Sequence, residues 1–381
     1  MNRHHNIIIA GAGGIAEAAG LLLMELSPVS PTLFIGNRTL SRAREVALWI
    51  ENGTTKKSKV NSFTLSTENV TKEMEDIFQQ CDIILDCLPG SLAPAIAKIA
   101  RNHNLHYANL TEYVSETNEI IKLAKDAETG FVLQTGLAPG YINILAHHLF
   151  KKFCGDFEVN KVEKLEFKVG ALTRHAVAPH FYGFTWSPVG VATEYLNDTV
   201  VIRESKKTTL PALTERAIII IDGISYEEDL TSGGAADLPD ALENKVKTLD
   251  YKTLRHPGHY EWVAQQIKNG KGTQKNVEQL QKKMLASIPH IEEDQVVPYA
   301  AVEGMDAKGT RRRREISRKI LPLQVGKHSL RAIQTTTAAP LLQAAQMLLE
   351  QNFKGVVLQS QIDPGNFLKG NFVQHVYGDF E

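Results

Sequence analysis

Gly11-Ala12-Gly13-Gly14-Ile15-Ala16 is the segment whose residue types and spacing most directly imply chemistry. It matches G-x-G-x-x-G/A, follows the apolar run Ile7-Ile8-Ile9-Ala10 and opens a helical stretch. Gly11 permits the tight turn. Gly13 lets backbone amides approach a pyrophosphate, and Ala16 keeps the helix close to the sheet. From Gly14 and Ile15 on, the helix offers phosphates its free N–H groups and its positive dipole end. An NAD site would want Asp or Glu at the end of the second strand, for the ribose 2′-hydroxyl. The chain has Asn37-Arg38-Thr39 there, with Arg42 one turn on. A guanidinium can fork onto a 2′-phosphate and a threonine hydroxyl can donate to it, so the pattern predicts NADP, with NAD as the alternative. Leu88-Pro89-Gly90 closes another apolar strand, where such loops approach the nicotinamide ribose.

The elements that must hold these residues alternate in period. Strand patterns end near Ala10, Gly36, Cys87, Asn109 and Leu133, and helical patterns run from Gly14, Ser41, Leu92 and Glu116. That alternation predicts a Rossmann-type doubly wound parallel sheet. After about residue 140 the texture changes. Lys164-Leu165-Glu166-Phe167-Lys168-Val169 alternates polar and apolar, as a strand with one wet face does, and 217–221 and 296–302 also read as strands. An inserted α+β domain with an antiparallel sheet is expected there. Thr335-Thr336-Thr337 ahead of Pro340 reads as the capped start of a late helix with proline in its first turn.

Composition narrows the class of protein. The 381 residues carry 42 Lys+Arg against 43 Asp+Glu, a balance that argues against a nucleic-acid binder or a polybasic membrane anchor. Three cysteines build no disulfide framework and suggest a reducing compartment. No apolar stretch approaches a membrane span, and the N-terminus lacks a signal-peptide core, so a cytoplasmic location is expected. His147 and His148 are adjacent, point to different helix faces and form no metal pair; no metal site is expected. The run Arg311 to Arg314 reads as an exposed edge strand blunted by charge.

Five segments together resemble the saccharopine dehydrogenase-like family, the saccharopine reductase and lysine 6-dehydrogenase group. They are the glycine turn, Gly136-Leu137-Ala138-Pro139-Gly140, Phe184-Thr185-Trp186-Ser187-Pro188, Thr231-Ser232-Gly233-Gly234, and Thr253-Leu254-Arg255-His256-Pro257-Gly258-His259. His256 stands where the family usually has tyrosine; Asn37 and Asn109 stand where some members have aspartate. The resemblance implies a nucleotide-binding domain over residues 1–138, completed by about 338–381. It implies a substrate and dimerisation domain over 139–337, and a homodimer. It further implies reversible hydride transfer at a C–N bond of lysine, saccharopine or a carboxylated polyamine.

Hydride chemistry at an amine needs fixed cations for substrate carboxylates and a group that moves a proton. Arg255 is expected either to clamp a substrate carboxylate or to pair structurally with a nearby acid, with Tyr113 and Trp186 lining the substrate pocket. His259 is the expected acid/base and Tyr182 a second catalytic candidate. The residues leave one other class open, a non-catalytic or regulatory NADP-binding protein on the same fold.

Overall fold

The computed structural model describes residues 3–267, 273–351 and 353–380. The chain divides into two compact units. One holds Met1–Tyr141, Leu323–Leu330 and Gln334–Glu381; the other holds Ile142–Pro322 and Arg331–Ile333.

In the first unit β1 (Asn6–Ala10), β2 (Thr32–Asn37), β3 (Lys59–Thr64), β4 (Ile83–Asp86), β5 (His106–Asn109) and β6 (Gly130–Val132) form a parallel sheet. They alternate with α1 (Gly14–Leu26), α2 (Leu40–Gly53), α3 (Lys72–Phe78), α4 (Ala93–Asn102) and α5 (Val114–Ala124). The strand order is 3-2-1-4-5-6, and a seventh strand, Gly355–Val357, pairs in parallel with β6. This is the Rossmann-type doubly wound sheet, with its switch point between β1 and β4, where ligands bind in such folds. Ile7, Ile8 and Ile9 are wholly buried because helices cover both faces, which is why β1 reads as a continuous apolar run. The sequence pattern leaves out β3 and α3. As an edge strand β3 buries little beyond Phe63, so its residues are polar and carry no buried-strand signal.

The second region runs α6 (Tyr141–Asp156), β7 (Val162–Thr173), α7 (Pro188–Leu196), β8 (Thr199–Arg203), β9 (Lys206–Leu210), β10 (Ala217–Ile221) and β11 (Ile224–Leu230). It continues with α8 (Leu238–Leu242), β12 (Val246–Arg255), α9 (His259–Gln266), α10 (Gln274–Ser287), β13 (Asp294–Met305) and β14 (Arg311–Ser317). The sheet order is β10-β11-β12-β7-β13-β14, with β8 beside β12 and β9 beside β8. It is mixed, not antiparallel as expected. The long excursion between β7 and β12 lets them pair in parallel, from Val246 beside Val162 to Thr253 beside Val169.

The expected wet face of β7 is also corrected. Glu166 and Lys168 are buried. Lys168 Nζ lies 2.8 Å from Glu166 and 3.0 Å from Glu228, and Arg313 reaches Glu166 at 2.9 Å. Burial pushes the Glu166 carboxyl up, but Lys168 and Lys164 outweigh it and hold the group down at about 2. Alternation marks a strand, but it does not distinguish a solvated face from one whose charges neutralise each other.

The late helix differs too. It spans Ala332–Gln351, so Pro340 lies inside it and not in its first turn. Asp294, not a threonine, caps it: its carboxylate accepts from the Ala332 and Ile333 amides, each at 2.8 Å. Proline removes the bond to the carbonyl four residues back, Thr336. The Tyr377 hydroxyl donates to that carbonyl at 2.6 Å, which satisfies the freed acceptor. In the four-arginine edge strand β14 every arginine meets an acid: Arg311 with Glu303, Arg312 with Asp306, Arg313 with Glu166 and Arg314 with Asp156. Among the described residues no helix is long and apolar enough to cross a membrane.

Candidate functional site

The glycine turn uses its glycines for different reasons. Gly11 has φ +119°, and a Cβ there would sit 3.0 Å from the Cys87 carbonyl oxygen. Its amide donates to Gly36 at 2.8 Å, tying the turn to the end of β2. Gly13 is needed by nothing in the protein itself: a Cβ there would meet no atom within 4 Å. It precedes α1 and provides no side-chain cap, so the first-turn amides beyond it are bare of side-chain acceptors. Open space beside an uncapped helix start fits a pyrophosphate. Ala16 is fully buried, while Gly14 and Ile15 are partly exposed.

A divergent pair of substitutions follows. Gly11→Ala forces a side chain into strained backbone and is expected to destabilise by about 2 kcal/mol. Gly13→Ala has room and an ordinary φ and should cost less than about 1 kcal/mol, yet it should weaken cofactor binding. Thermal unfolding and fluorescence titration with NADPH, run on both variants, separate the two effects.

At the end of β2, Arg38 and Thr39 are exposed. Among the described residues Arg38 has no ion pair or hydrogen bond, and the Thr39 hydroxyl caps nothing although Thr39 precedes α2. The Asn37 amide donates to the Thr39 carbonyl at 3.2 Å. Arg42 differs from its expected role. Its Nε donates to Ala12 O at 3.0 Å, Nη1 to Glu45 at 2.9 Å and Nη2 to Glu17 at 3.0 Å. Its guanidinium is occupied in bracing the glycine turn against α2, so it is not presented to a phosphate.

The loop after β4 is held by a group the sequence reading missed. Asp86 is buried; one oxygen accepts from Leu88 N at 3.0 Å and the other from the Tyr107 hydroxyl at 2.7 Å. Burial lifts its carboxyl to about 6 against those two bonds. Asn109 Nδ2 meets the Tyr107 hydroxyl at 3.3 Å, and its Oδ1 accepts from Gln134 N at 2.9 Å. The network joins the carboxyl ends of β4, β5 and β6. A side chain at Gly90 would strike Thr111, so Leu88-Pro89-Gly90 has little room to move, and partly exposed Tyr113 stands against it. The available signal was a lone carboxylate ending the apolar strand Ile83-Ile84-Leu85.

In the second unit Arg255 ends β12 with only 1% of its surface exposed. Nε donates to the Tyr195 hydroxyl at 2.7 Å and Nη1 to Leu254 O at 3.0 Å. Nη2 lies 3.8 Å from Glu194, and the guanidinium sits 4.9 Å from the Tyr182 ring centroid and 5.5 Å from that of Tyr195. Of the two roles expected for Arg255, this buried setting beside Glu194 is that of the structural arginine paired with an acid. His259 is wholly buried as well. Its Nδ1 faces the His180 carbonyl at 2.7 Å and must donate; Nε2 therefore accepts from Tyr195 at 3.0 Å. Burial first, and the Arg255 charge next, push the imidazole down to about 3. His259 is thus neutral at physiological pH and its nitrogens are committed, which removes the titrating acid/base expected of it. Tyr182 is buried, with its hydroxyl beside the Trp186 and Thr185 side chains. Trp186 is partly exposed and packs over Gly190; Ser187 caps α7 and Pro188 starts it, which accounts for the Ser-Pro pair.

Two family models cover the chain: the saccharopine dehydrogenase NADP binding domain over residues 7–133, and the saccharopine dehydrogenase C-terminal domain over 136–370. The chain belongs to the saccharopine dehydrogenase family. The first of the two models is that of a domain that binds a nicotinamide cofactor. Among its curated relatives is the mitochondrial alpha-aminoadipic semialdehyde synthase of Rattus norvegicus, 24% identical over 46% of this chain and 18% of its own length. The Bos taurus protein of the same name is 22% identical over 71% of this chain and 29% of its own length. The match therefore spans less than a third of these larger relatives. Saccharopine dehydrogenase (L-Glu forming) from Saccharomyces cerevisiae shares the fold over 98% of both chains, at TM-score 0.73 and 14% identity. The homospermidine synthase of Legionella pneumophila, solved with NAD, shares it at TM-score 0.68 and 11% identity, over 98% of this chain and 90% of its own. One saccharopine dehydrogenase fold thus carries different substrates, and fold alone does not select among them.

Proposed function

We propose that this protein is an NADP-dependent oxidoreductase acting at the C–N bond of a lysine-derived amino acid, of the saccharopine reductase type. The observation that carries the reading is the pair Arg38 and Thr39. They form a free cation and a free hydroxyl where an NAD site would place a carboxylate, and they follow a β2 strand tied to the glycine turn. When bound, the nicotinamide supplies or accepts the hydride. The bare amides after Gly13 hold the pyrophosphate, and Arg38 and Thr39 hold the 2′-phosphate. Arg42 braces the turn through Ala12, and the Asp86–Tyr107–Asn109 network fixes the loop that meets the nicotinamide ribose. Tyr113 and Trp186, both partly exposed, contact substrate. Arg255, Tyr195 and His259 act from behind, as positioning residues.

In the reductase direction the glutamate amine condenses with aminoadipate semialdehyde, water leaves, and the imine takes one hydride and one proton to become a secondary amine. The expected result is NADPH consumption that requires both glutamate and the semialdehyde. A flat absorbance trace there, with NADPH appearing when lysine and NADP are mixed, would select the lysine 6-dehydrogenase type instead. No turnover with either, in a chain that binds NADPH, would favour a regulatory protein.

A further inference from the structure

Reduction of an imine needs a proton as well as a hydride. His259 is neutral with both nitrogens committed, so it does not supply one. In a sheet ordered 3-2-1-4-5-6 the strands β1–β3 and β4–β6 form two mononucleotide halves. With the adenosine end held after β2, the nicotinamide falls to the second half. The titratable groups at the carboxyl ends of its strands β4 and β5 are Asp86, Cys87, Tyr107, Glu112 and Tyr113. Asp86 has one oxygen committed to Leu88 N and the other to the Tyr107 hydroxyl, which occupies Tyr107 as well. Burial pushes the Cys87 thiol and the Tyr113 hydroxyl up, and both are poor acids. Glu112 is the group that remains.

Glu112 lies half-buried on the loop between β5 and α5. The loop after β4 runs against that segment: a Cβ at Gly90 would strike Thr111 Oγ1 and lie 3.0 Å from the Tyr113 ring. Glu112 thus stands between the two residues that touch Leu88-Pro89-Gly90. Among the described residues its carboxylate forms no ion pair and accepts only from its own amide. Burial raises its carboxyl, its own amide draws it partly back, and the Glu116 charge on α5 raises it again; the net shift is upward. Tyr113 faces it without a charge, and the β4 loop brings none. A carboxyl with no cation to hold it ionised keeps its proton to higher pH than an exposed glutamate does, and is free to pass it on.

We propose that the Glu112 carboxyl is the catalytic group that gives the substrate nitrogen its proton in the reduction and takes it back in the oxidation. The proposal rests on the redox reading above. In the reduction the imine carbon takes the hydride and the C=N π pair moves onto nitrogen. That nitrogen takes the proton from the Glu112 carboxyl, which leaves a secondary amine and a carboxylate; solvent returns the proton. In the oxidation the carboxylate takes the N–H proton, the nitrogen pair forms the C=N bond, and the hydride leaves the carbon for the cofactor.

Glu112→Gln keeps the shape of the side chain and removes the proton. With NADPH, glutamate and aminoadipate semialdehyde, its kcat is expected to fall about 100-fold or more. NADPH affinity should stay within about twofold, and the unfolding midpoint should not fall. Only the protonated carboxyl donates, so kcat of the parent chain should drop as pH rises through the Glu112 titration. That limb should vanish in Glu112→Gln and persist, at a lower rate, in Glu112→Asp. Glu112→Ala opens space for a small acid, and added acetate should restore rate in proportion to its concentration. If the parent chain instead oxidises lysine with NADP, the same variants are read in that direction, where the limb rises with pH. A Glu112→Gln rate within about threefold of the parent, a pH limb that survives it, a matched loss of NADPH affinity, or no response of Glu112→Ala to acetate would overturn the proposal and leave the redox reading standing. A parent chain that turns over neither substrate would overturn both.

Discussion

Replacing Arg38 with alanine is expected to weaken NADPH binding by about 10–100-fold and to leave NADH binding within about twofold. A charge-assisted bond to a phosphate contributes about 1.5–3 kcal/mol, and NADH has no 2′-phosphate to lose it. The unfolding midpoint should stay where it is, because among the described residues Arg38 holds nothing in the protein. Thr39→Val should follow the same pattern with a smaller loss, about 1 kcal/mol for a neutral donor. Arg42→Ala should behave differently. Releasing Ala12, Glu17 and Glu45 loosens the turn itself, so both cofactors should lose affinity together. Isothermal titration of the three variants against both nucleotides reads all of this directly. Equal losses for NADPH and NADH in Arg38→Ala, or tighter NADH binding in the parent chain, would remove the NADP assignment.

That contrast between two arginines four residues apart shows where sequence reading stops. The strand run Ile7 to Ile9, the glycine turn and the absent carboxylate after β2 were legible because each depends on residues adjacent in sequence. Arg42 was not, because its partners Ala12 and Glu17 lie some thirty residues away and come from another element. Asp86 was passed over for the same reason: Tyr107 and Asn109, on the next strand, give it its role. On β7 the polar positions were read as wet because alternation is local, while the neutralising charges of Glu228 and Arg313 come from strands far along the chain. The late helix gives a compact case. Three threonines and a proline look like a helix start, yet Asp294 caps the helix earlier and Tyr377 repairs the proline's lost bond. In the segment Thr253 to His259 the residue types were found but their exposure was not. Whether an arginine ending a strand faces solvent or an aromatic box is set by Tyr182 and Tyr195, which no spacing rule connects to it.

Arg255 carries the second large effect. Arg255→Met is expected to destabilise the protein by about 3–5 kcal/mol, the usual consequence of removing one member of a buried charged group. The guanidinium is the cation for Glu194, the donor to Tyr195 and the partner of two aromatic faces, and a thioether replaces none of these. Arg255→Lys should recover little, since a single ammonium cannot stack on Tyr182 and still donate to Tyr195 in the plane the fork provides. At about 2–4 °C per kcal/mol for a unit of this size, either variant should lower the unfolding midpoint by roughly 10 °C. His259 supplies a readout that general damage would not. The Arg255 charge helps to depress its imidazole, so in the methionine variant its pKa should rise from about 3 while staying below the ordinary histidine range, because burial is the larger cause. Histidine ring resonances followed by NMR through an acid titration measure that shift. If Arg255 were instead a clamp whose main partner is a substrate carboxylate, Arg255→Lys would leave the midpoint in place. It would then raise KM alone, and the buried relay from Arg255 through Tyr195 to His259 would lose its claim as the support of the second unit.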